Sequence, residues 1–289
     1  MGPPASPIDL HLHTTASDGT LSPEEMVAEA LRLGMQVIAP ADHDTVLGVE
    51  PALQAAQGRG LVVVPAVEIN TDYRGREVHL LGYFVDHSSD DLAGALQALR
   101  EGRRTRNRAI LERLAQLGHP VEEARVEQIA GGESVGRPHI AAALVEAGHA
   151  ASGQQAFERW LGRGKPAFVP RPRFTPRQAV ALIRSAGGIA VLAHPAKGGA
   201  EDLIPRLVDA GLQGLEAFHT DHTPGATERY LRLARERGLL VTGGTDSHGP
   251  SADRPVAMGS VTVPLWVWDQ LLQAHREQAP GPSGDGLVA

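Results

Sequence analysis

The chain has 289 residues, of which 34 are acidic and 27 basic, and its formal net charge is −7. This length fits one large α/β domain, or such a domain with a smaller insert. The acidic balance excludes a basic footprint for duplex DNA over the whole molecule, although not a local basic patch. Because there is no cysteine, any metal must be bound by carboxylates and by the 13 histidines.

The N-terminal segment and the apolar runs show no membrane or secretion signal. No run approaches the roughly 20 apolar residues that a membrane-spanning helix needs. Residues 1–7 contain neither the positive region nor the apolar region of a secretory signal. We therefore expect a cytoplasmic protein with no membrane association and no obligate protein partner.

Short apolar, β-branched runs alternate with helical patterns along most of the chain. Ser22-Pro23-Glu24-Glu25 is a capping box that predicts a helix closed by Gly34, and Thr175-Pro176 and Thr223-Pro224 predict two more, the latter ending near Gly238. The predicted strands are Ile8–Leu12, Val37–Ala41, Leu61–Ile69, Val78–Val85, Ile189–Ala193, Leu215–Phe218 and Leu239–Thr242. This alternation predicts an α/β fold with a mostly parallel sheet, either open or closed as a barrel.

Residues 90–173 interrupt the alternation, because their patterns are almost entirely helical. Helices are predicted at Asp90–Gly118, Arg137–Gly148 and Gln154–Gly162, and the next strand signal is Ala167–Val169. We therefore expect a discontinuous α/β domain, residues 8–89 and 174–278, that carries a helical inserted subdomain at 90–173. The tail, residues 279–289, is rich in Gly, Pro and Ser, which predicts disorder.

Histidines and carboxylates follow the first three predicted strands. His11 and His13 face the same side of one strand and could form half of a site for a divalent metal, although two polar residues on a solvent-exposed face explain the pair equally well. Asp18 lies in the turn that follows. Asp42-His43-Asp44 comes directly after the second strand and Glu68 ends the third, where buried ionisable groups need a partner or a metal.

The later strands carry the same chemistry. His79 begins the fourth predicted strand, and a hairpin between Ile69 and Val78 would fold it back beside Glu68. His194 follows the fifth strand, and Asp246 and His248 follow the last one in alternating positions. Because functional residues of parallel α/β folds gather at the carboxyl ends of strands, the sequence predicts a metal centre there with more than one ion.

This combination of motifs closely resembles the PHP (polymerase and histidinol phosphatase) family. The motifs are His11-Leu12-His13, Thr14 to Gly19, Ala41-Asp42-His43-Asp44, Val67-Glu68, His79-Leu80-Leu81-Gly82, His194-Pro195 and Thr245-Asp246-Ser247-His248. The resemblance implies a distorted (βα)7 barrel with three divalent metal ions at its carboxyl face. Manganese is the favoured metal, and the nitrogen and oxygen ligands also suit iron or zinc.

The resemblance also implies which side chains bind each ion. The implied sets are His11, His13, Glu68 and Asp246 for the first ion; Glu68 as a bridge, with His79 and His194, for the second; and Asp18, His43 and His248 for the third. None of these positions is replaced, which argues against a non-catalytic member of the family.

Within the family, the chain is most similar to nucleoside 3′,5′-bisphosphate phosphatases that also act as 5′→3′ exonucleases on short RNA. This narrower resemblance rests on the basic run 100–108 and on the segment 134–140. Arg103 and Arg106 share a helical face, and Arg137 precedes a helix start, where free N–H groups attract anions.

The guanidinium group of an arginine can bind two phosphate oxygens at once. We therefore expect Arg103, Arg106 and Arg137 to hold the phosphate that does not react. The alternative is a solvated basic helix face paired with nearby glutamates.

The expected reaction is hydrolysis of a phosphate ester, with a small nucleotide or short single-stranded RNA as substrate. It would release the 3′-phosphate of nucleoside 3′,5′-bisphosphates and shorten RNA from its 5′ end. His222 could donate a proton to the leaving oxygen, or could only support its neighbours by hydrogen bonding. The other possibilities are another phosphatase of the family, such as histidinol phosphate phosphatase, and a non-catalytic, metal-stabilised nucleotide-binding module.

Overall fold

Strands and helices alternate through most of the chain. The computed structural model describes residues 6–130, 135–170, 174–252 and 255–278. Its strands are β1 (Ile8–Leu12), β2 (Val37–Pro40), β3 (Val62–Val63), β4 (Ala66–Tyr73), β5 (Arg76–Tyr83), β6 (Ile189–Leu192), β7 (Gly214–His219) and β8 (Leu240–Gly244). Its helices are α1 (Pro23–Leu33), α2 (Val49–Ala56), α3 (Asp90–Gln116), α4 (Glu123–Ala130), α5 (Arg137–Glu146), α6 (Gly153–Ala156), α7 (Pro176–Ser185), α8 (Pro195–Gly198), α9 (Ile204–Asp209), α10 (Pro224–Arg237) and α11 (Leu265–Gln278).

The predicted helix starts are confirmed by their local chemistry. At the start of α1, the Ser22 hydroxyl accepts a hydrogen bond from the Glu25 N–H at 3.2 Å, and the Glu25 carboxylate accepts one from the Ser22 N–H at 2.8 Å. Gly34 ends this helix in the left-handed region, with φ 72°. Thr175 and Gln178 form the same reciprocal cap at the start of α7.

The strands form two sheets. One contains β1, β2 and β3, all parallel, and the other has the order β4-β5-β6-β7-β8. In the second sheet, β5 is antiparallel to both β4 and β6, whereas β6, β7 and β8 are parallel. The bridges Leu12–Ser247 and His43–Glu68 connect the sheets in the described part of the chain. The fold is therefore mixed α/β, and closure into a distorted barrel stays a prediction.

The prediction of one strand over Leu61–Ile69 is wrong. Pro65 has no N–H group to donate, and the run divides there into β3 and β4. The Val64 N–H still donates to the Ile38 carbonyl at 2.9 Å beside β2, whereas β4 pairs with β5. The division places β3 in the first sheet and β4 in the second.

The hairpin that follows is tighter than predicted. Strands β4 and β5 pair along their whole length and are joined at Arg74 and Gly75. Both residues have positive φ, 55° and 81°, as in the two-residue turns that match the twist of paired strands.

The helical segment has an apolar core of its own. Ile110, Val126, Ile140, Leu144 and Trp160 belong to one buried cluster, separate from the core around the sheets. Of its helices, α3 and α5 match the predictions, and the predicted helix Gln154–Gly162 corresponds to α6 with the π-helix Phe157–Leu161 that continues it. Helix α4 was not predicted, and Ala167–Val169 is not a strand. The separate core supports the proposed inserted subdomain at 90–173, while the predicted disordered tail, 279–289, lies outside the described residues.

Among the described residues, no helix combines the length and the apolar character needed to cross a membrane.

We predict that Leu144→Ala destabilises the protein by about 2–5 kcal/mol, because it opens a cavity in the core of the insert. Leu144 is 0% exposed, whereas the matched control Leu117, at the end of α3, is 42% exposed. The control Leu117→Ala should change the free energy of unfolding by less than about 0.5 kcal/mol. Urea denaturation measures both, and equal effects would show that the insert has no core of its own.

Candidate metal centre

A buried carboxylate lies at the centre of the candidate site. Glu68, on β4, is 0% exposed. Its Oε1 lies 2.8 Å from His79 Nδ1 and 3.0 Å from His194 Nε2. Its Oε2 lies 2.8 Å from His43 Nδ1. Three histidines from separate strands or strand ends therefore surround one carboxylate.

A second carboxylate, Asp246, shares two more histidines with Glu68. The Nε2 atoms of His11 and His13 lie 3.4 and 3.5 Å from Glu68 Oε2. The same nitrogens lie 3.5 and 3.1 Å from Asp246 Oδ1. Four donors thus face one point at the end of β1.

A third carboxylate, Asp18, lies on the open side of the cluster. Its Oδ1 is 3.4 Å from His248 Nε2, and its Oδ2 is 3.8 Å from His43 Nε2. The His248 ring stacks on the His13 ring with centroids 4.1 Å apart. This third group therefore adjoins the other two.

The structure brings together all nine residues predicted as metal ligands. Four groups in the described part of the chain have donor atoms within 4.8 Å of one another: His13, Asp18, His43 and His248; His11, His13, Glu68 and Asp246; His43, Glu68 and His79; and His11, Glu216 and His219. The first and third predicted sets each fall within one group. In place of the second set, Glu68 and His79 group with His43, while His194 contacts Glu68 directly.

Two further buried aspartates position the ends of the strands. Asp9 accepts hydrogen bonds from the Thr245 N–H (2.9 Å), the Thr245 hydroxyl (2.7 Å) and the Gly259 N–H (3.0 Å). Burial raises the pKa of Asp9, and these donors partly offset that rise. The contacts hold β1 against the segment after β8, which places His11 beside Asp246.

Asp42 has the same role on the other side of β1. It accepts hydrogen bonds from the Thr14 N–H (2.7 Å), the Thr14 hydroxyl (2.7 Å) and the Ser17 hydroxyl (2.5 Å). The turn that carries Asp18 is thereby fixed beside His43.

Glu216, on β7, was not predicted as a site residue. It is 0% exposed, its Oε1 lies 2.9 Å from His11 Nδ1, and its Oε2 accepts the His194 N–H at 2.7 Å. Burial raises the pKa of this carboxyl group, but the positive charges of His11 and His219 outweigh burial and lower it to about 2. The available signal was a single acid within the apolar strand 215–218, which needs a buried partner.

Two more cleft residues, Lys197 and His219, were also missed. Lys197 Nζ lies 3.1 Å and His219 Nε2 3.5 Å from Asp246 Oδ2. His222, the predicted proton donor, directs Nδ1 to the Ala217 carbonyl at 2.9 Å. Its ring lies 5.3 Å from the His219 ring and outside the described lining of the cleft. The role of His222 stays a prediction.

The predicted arginines border two adjacent cavities. The metal cleft, about 710 Å³, is lined by Asp18, His43, Asp246 and His248 of the cluster and by Arg103 and Arg137. The arginine chamber, about 800 Å³, is lined by Arg106 and Arg137 among others. Arg103 forms an ion pair with Asp44, and the Arg106 Nε–H donates to the Val169 carbonyl at 2.8 Å. Arg137 alone of the three lines both cavities in the described part of the chain.

Burial and the charges within the cluster shift the pKa values of different histidines in opposite directions. Burial opposes protonation of His79 and His248, but the Glu68 carboxylate beside the first and Asp18 beside the second outweigh burial and raise each pKa to about 9. Burial and the neighbouring positive charges of His248 and His43 lower the pKa of His13 to about 3.

The donor atoms fit divalent metal ions. His11 Nε2, His13 Nδ1, His43 Nδ1 and Glu68 Oε2 are buried and make no hydrogen bond. A buried polar atom left in this state costs about 1–3 kcal/mol. Ligation in the predicted sets would satisfy His11 Nε2 and Glu68 Oε2, and imidazole with carboxylate oxygen suits manganese, iron or zinc.

Comparisons with known proteins agree with this geometry. The sequence pattern of the PHP domain matches residues 9–149. A 5′-3′ exoribonuclease of Haemophilus influenzae is 34% identical over 267 residues, which cover 89% of this chain and 97% of the relative. The chain belongs to the PHP domain family.

Other relatives of this PHP chain carry different names. A 3′,5′-nucleoside bisphosphate phosphatase of Chromobacterium violaceum is 33% identical, over 84% of this chain and 87% of the relative. A phosphoribosyl 1,2-cyclic phosphate 1,2-diphosphodiesterase of Eggerthella lenta is 34% identical, over 83% and 94%. A crystal structure from Bifidobacterium adolescentis, described as a metal-dependent phosphoesterase, is 31% identical with a TM-score of 0.82, over 98% of this chain and 100% of that one. Together these likenesses make the PHP chain a phosphoric ester hydrolase.

We predict that metal binding near pH 7 releases about three protons. The pKa of His79 and of His248 is about 9, and although burial lowers the pKa of His11, the charges of Glu216 and Glu68 raise it well above its usual value, so each of the three must lose a proton to bind a metal. Metal affinity should therefore rise as the pH rises toward 9. Calorimetry in two buffers of different ionisation enthalpy counts the protons, and His79→Asn should remove about one of them. Release of no protons would contradict the assignment of these imidazoles as ligands.

Proposed function

We propose that this phosphoesterase hydrolyses the 3′-phosphate of nucleoside 3′,5′-bisphosphates and shortens short RNA from its 5′ end, with three divalent ions, manganese favoured. The observation that carries the proposal is the metal cleft, in which the cluster faces arginines supplied by the helical insert. The names of the Haemophilus influenzae and Chromobacterium violaceum relatives support the same two substrates.

The nine clustered side chains would hold the ions in the three sets described above. Divalent ions in such a site supply a nucleophile at neutral pH and neutralise charge on the phosphoryl oxygens. Glu216 would keep His11 oriented through its 2.9 Å contact with Nδ1, leaving Nε2 directed at Glu68 and Asp246. The reacting phosphate would therefore lie over Glu68 and Asp246.

Lys197 adds a positive charge at the edge of the cluster. Its ammonium group lies 3.1 Å from Asp246 Oδ2, and its side chain is 49% exposed toward the cleft. The negative charges of Asp246 and Glu68 outweigh burial and raise the pKa of Lys197, so that it stays protonated. It could contact a phosphoryl oxygen of a substrate bound beside Asp246.

His219 is better placed than His222 to donate a hydrogen bond to the leaving oxygen. Its Nδ1 accepts the Asp221 N–H at 3.0 Å, which leaves Nε2 as the hydrogen-bond donor. That nitrogen is buried without a hydrogen bond, 3.5 Å from Asp246, and the ring lines the metal cleft. His222 lies behind it, where it would support the ring.

Arg137 would hold the second phosphate of the substrate. Its guanidinium lies 5.5 Å from the Phe157 ring centroid and 3.8 Å from Glu77, at the boundary between the two cavities. A phosphate bound there fixes the position of the nucleotide without entering the bond-breaking step. The arrangement suits a substrate with one reacting phosphate and one anchoring phosphate.

We expect phosphate release from adenosine 3′,5′-bisphosphate to stop after chelation and to return most fully with manganese, since the cluster must hold ions to act. A malachite-green assay can compare this nucleotide with histidinol phosphate, while chromatography follows a 5′-phosphorylated RNA and phosphoribosyl 1,2-cyclic phosphate. Faster turnover of histidinol phosphate or of the cyclic ester would show that the faster compound, and not the bisphosphate, is the preferred substrate. Nucleotide binding without any hydrolysis would indicate a binding module.

Arg137→Ala should raise KM for adenosine 3′,5′-bisphosphate about tenfold, because a charge-assisted phosphate contact is lost. The KM for adenosine 3′-monophosphate, which has no second phosphate, should change by less than about twofold. Arg108→Ala is the matched control, since Arg108 is 58% exposed on α3 and pairs with Glu123. Equal KM changes for the two nucleotides would exclude Arg137 as the anchor.

A further inference from the structure

The arginine chamber carries more positive charge than one phosphate requires. It adjoins the metal cleft at Glu77 and Arg137, which line both cavities. Its charged lining residues, among those described, are Arg74, Arg106, Arg137 and Arg163 against Asp72 and Glu77. The arginines outnumber the acids by two in a chain whose net charge is −7. A cavity of this charge favours a polyanion.

Arg163 is fixed in place by the β4–β5 turn. Its Nη1 donates to the Arg74 carbonyl at 3.1 Å. At Gly75, which has φ 81°, a Cβ atom would lie 2.8 Å from the guanidinium carbon of Arg163. Glycine suits the conformation of this turn and leaves room for the guanidinium group of Arg163 beside it.

The wall nearest the metal cleft is also fixed before any ligand binds. Arg106 is only 4% exposed, and its Nε–H donates to the Val169 carbonyl at 2.8 Å. The Arg137 guanidinium lies 6.0 Å from the Phe168 ring centroid, within reach of a cation–π contact. Arginines held in this way lose little freedom when they bind phosphate.

We propose that the arginine chamber binds the 5′-polyphosphate of a nucleotide whose 3′-phosphate reacts at the metal cluster. The inference rests on the proposed function, in which the first 5′-phosphate contacts Arg137. Phosphates attached beyond it would then enter the chamber, where Arg163 and Arg74 add guanidinium groups. The ligand is a nucleoside 3′-phosphate 5′-diphosphate or the triphosphorylated 5′ end of a short RNA.

The test compares Arg163→Ala with the control Arg159→Ala on adenosine 3′-phosphate 5′-diphosphate and adenosine 3′,5′-bisphosphate. Arg159 is an exposed neighbour that packs over the Trp160 ring, 4.7 Å from its centroid, outside the described lining of the chamber. Arg163→Ala should raise KM for the 5′-diphosphate about tenfold and KM for the bisphosphate less than about twofold. Arg159→Ala should change neither value.

Triphosphorylated and monophosphorylated tetraribonucleotides distinguish the two sources of the 5′-polyphosphate, which are a free nucleotide and the 5′ end of an RNA. A defect of Arg163→Ala with the triphosphorylated RNA assigns the chamber to RNA ends as well as to free nucleotides, and a defect with the free nucleotide alone restricts it to the latter. Equal KM changes for both adenosine nucleotides, no change for either, or rejection of the 5′-diphosphate by a wild-type enzyme that does hydrolyse the bisphosphate would overturn the proposal.

Calorimetric binding of the same two adenosine nucleotides, in the presence of a chelator, separates this inference from the proposed function. If the wild-type protein hydrolyses neither nucleotide, the proposed function fails. The chamber assignment then still requires Arg163→Ala to weaken binding of the 5′-diphosphate selectively, and it fails if binding is unchanged.

Discussion

A carboxylate can be buried completely only if positive charge or hydrogen-bond donors surround it. Glu68 is completely buried, so the strands around it must bring such groups to its side chain. Burial raises the pKa of Glu68, but the charges of His43, His79 and His11 outweigh burial and hold it well below the usual range. These imidazoles come from β1, β5 and the end of β2. The strands must therefore meet at one place for the carboxylate to be tolerated.

Protons on the histidines and divalent metal ions are alternative ways to balance the negative charge of the same carboxylates. Without a metal, protonated His79 and His248 face Glu68 and Asp18, while burial and the charges of its neighbours lower the pKa of His13 and keep it neutral. Divalent ions would replace these protons and would also satisfy His11 Nε2 and Glu68 Oε2, which make no hydrogen bond. Asp9, Asp42 and Glu216 hold the surrounding backbone and His11 through hydrogen bonds that do not involve a metal.

The sequence predicted the site better than it predicted the sheets. Carboxyl ends of strands lie together in parallel folds, so positions such as His13, His194 and His248 could be grouped from chain order alone. Glu216 could not, because it lies within β7 rather than after it, and its contact with His11, 205 residues away, depends on the tertiary fold. Division of the third strand at Pro65 was visible in principle, but local patterns do not show which neighbour each half pairs with. Barrel closure depends on the same long-range pairing.

The central claim is that the cluster around Glu68 binds divalent cations, and anomalous diffraction from crystals grown with manganese tests it most directly. The account predicts anomalous peaks within ligand distance of Glu68, with a further peak bounded by Asp18, His43 and His248. Manganese-activated enzyme whose peaks all lie outside the metal cleft would contradict it.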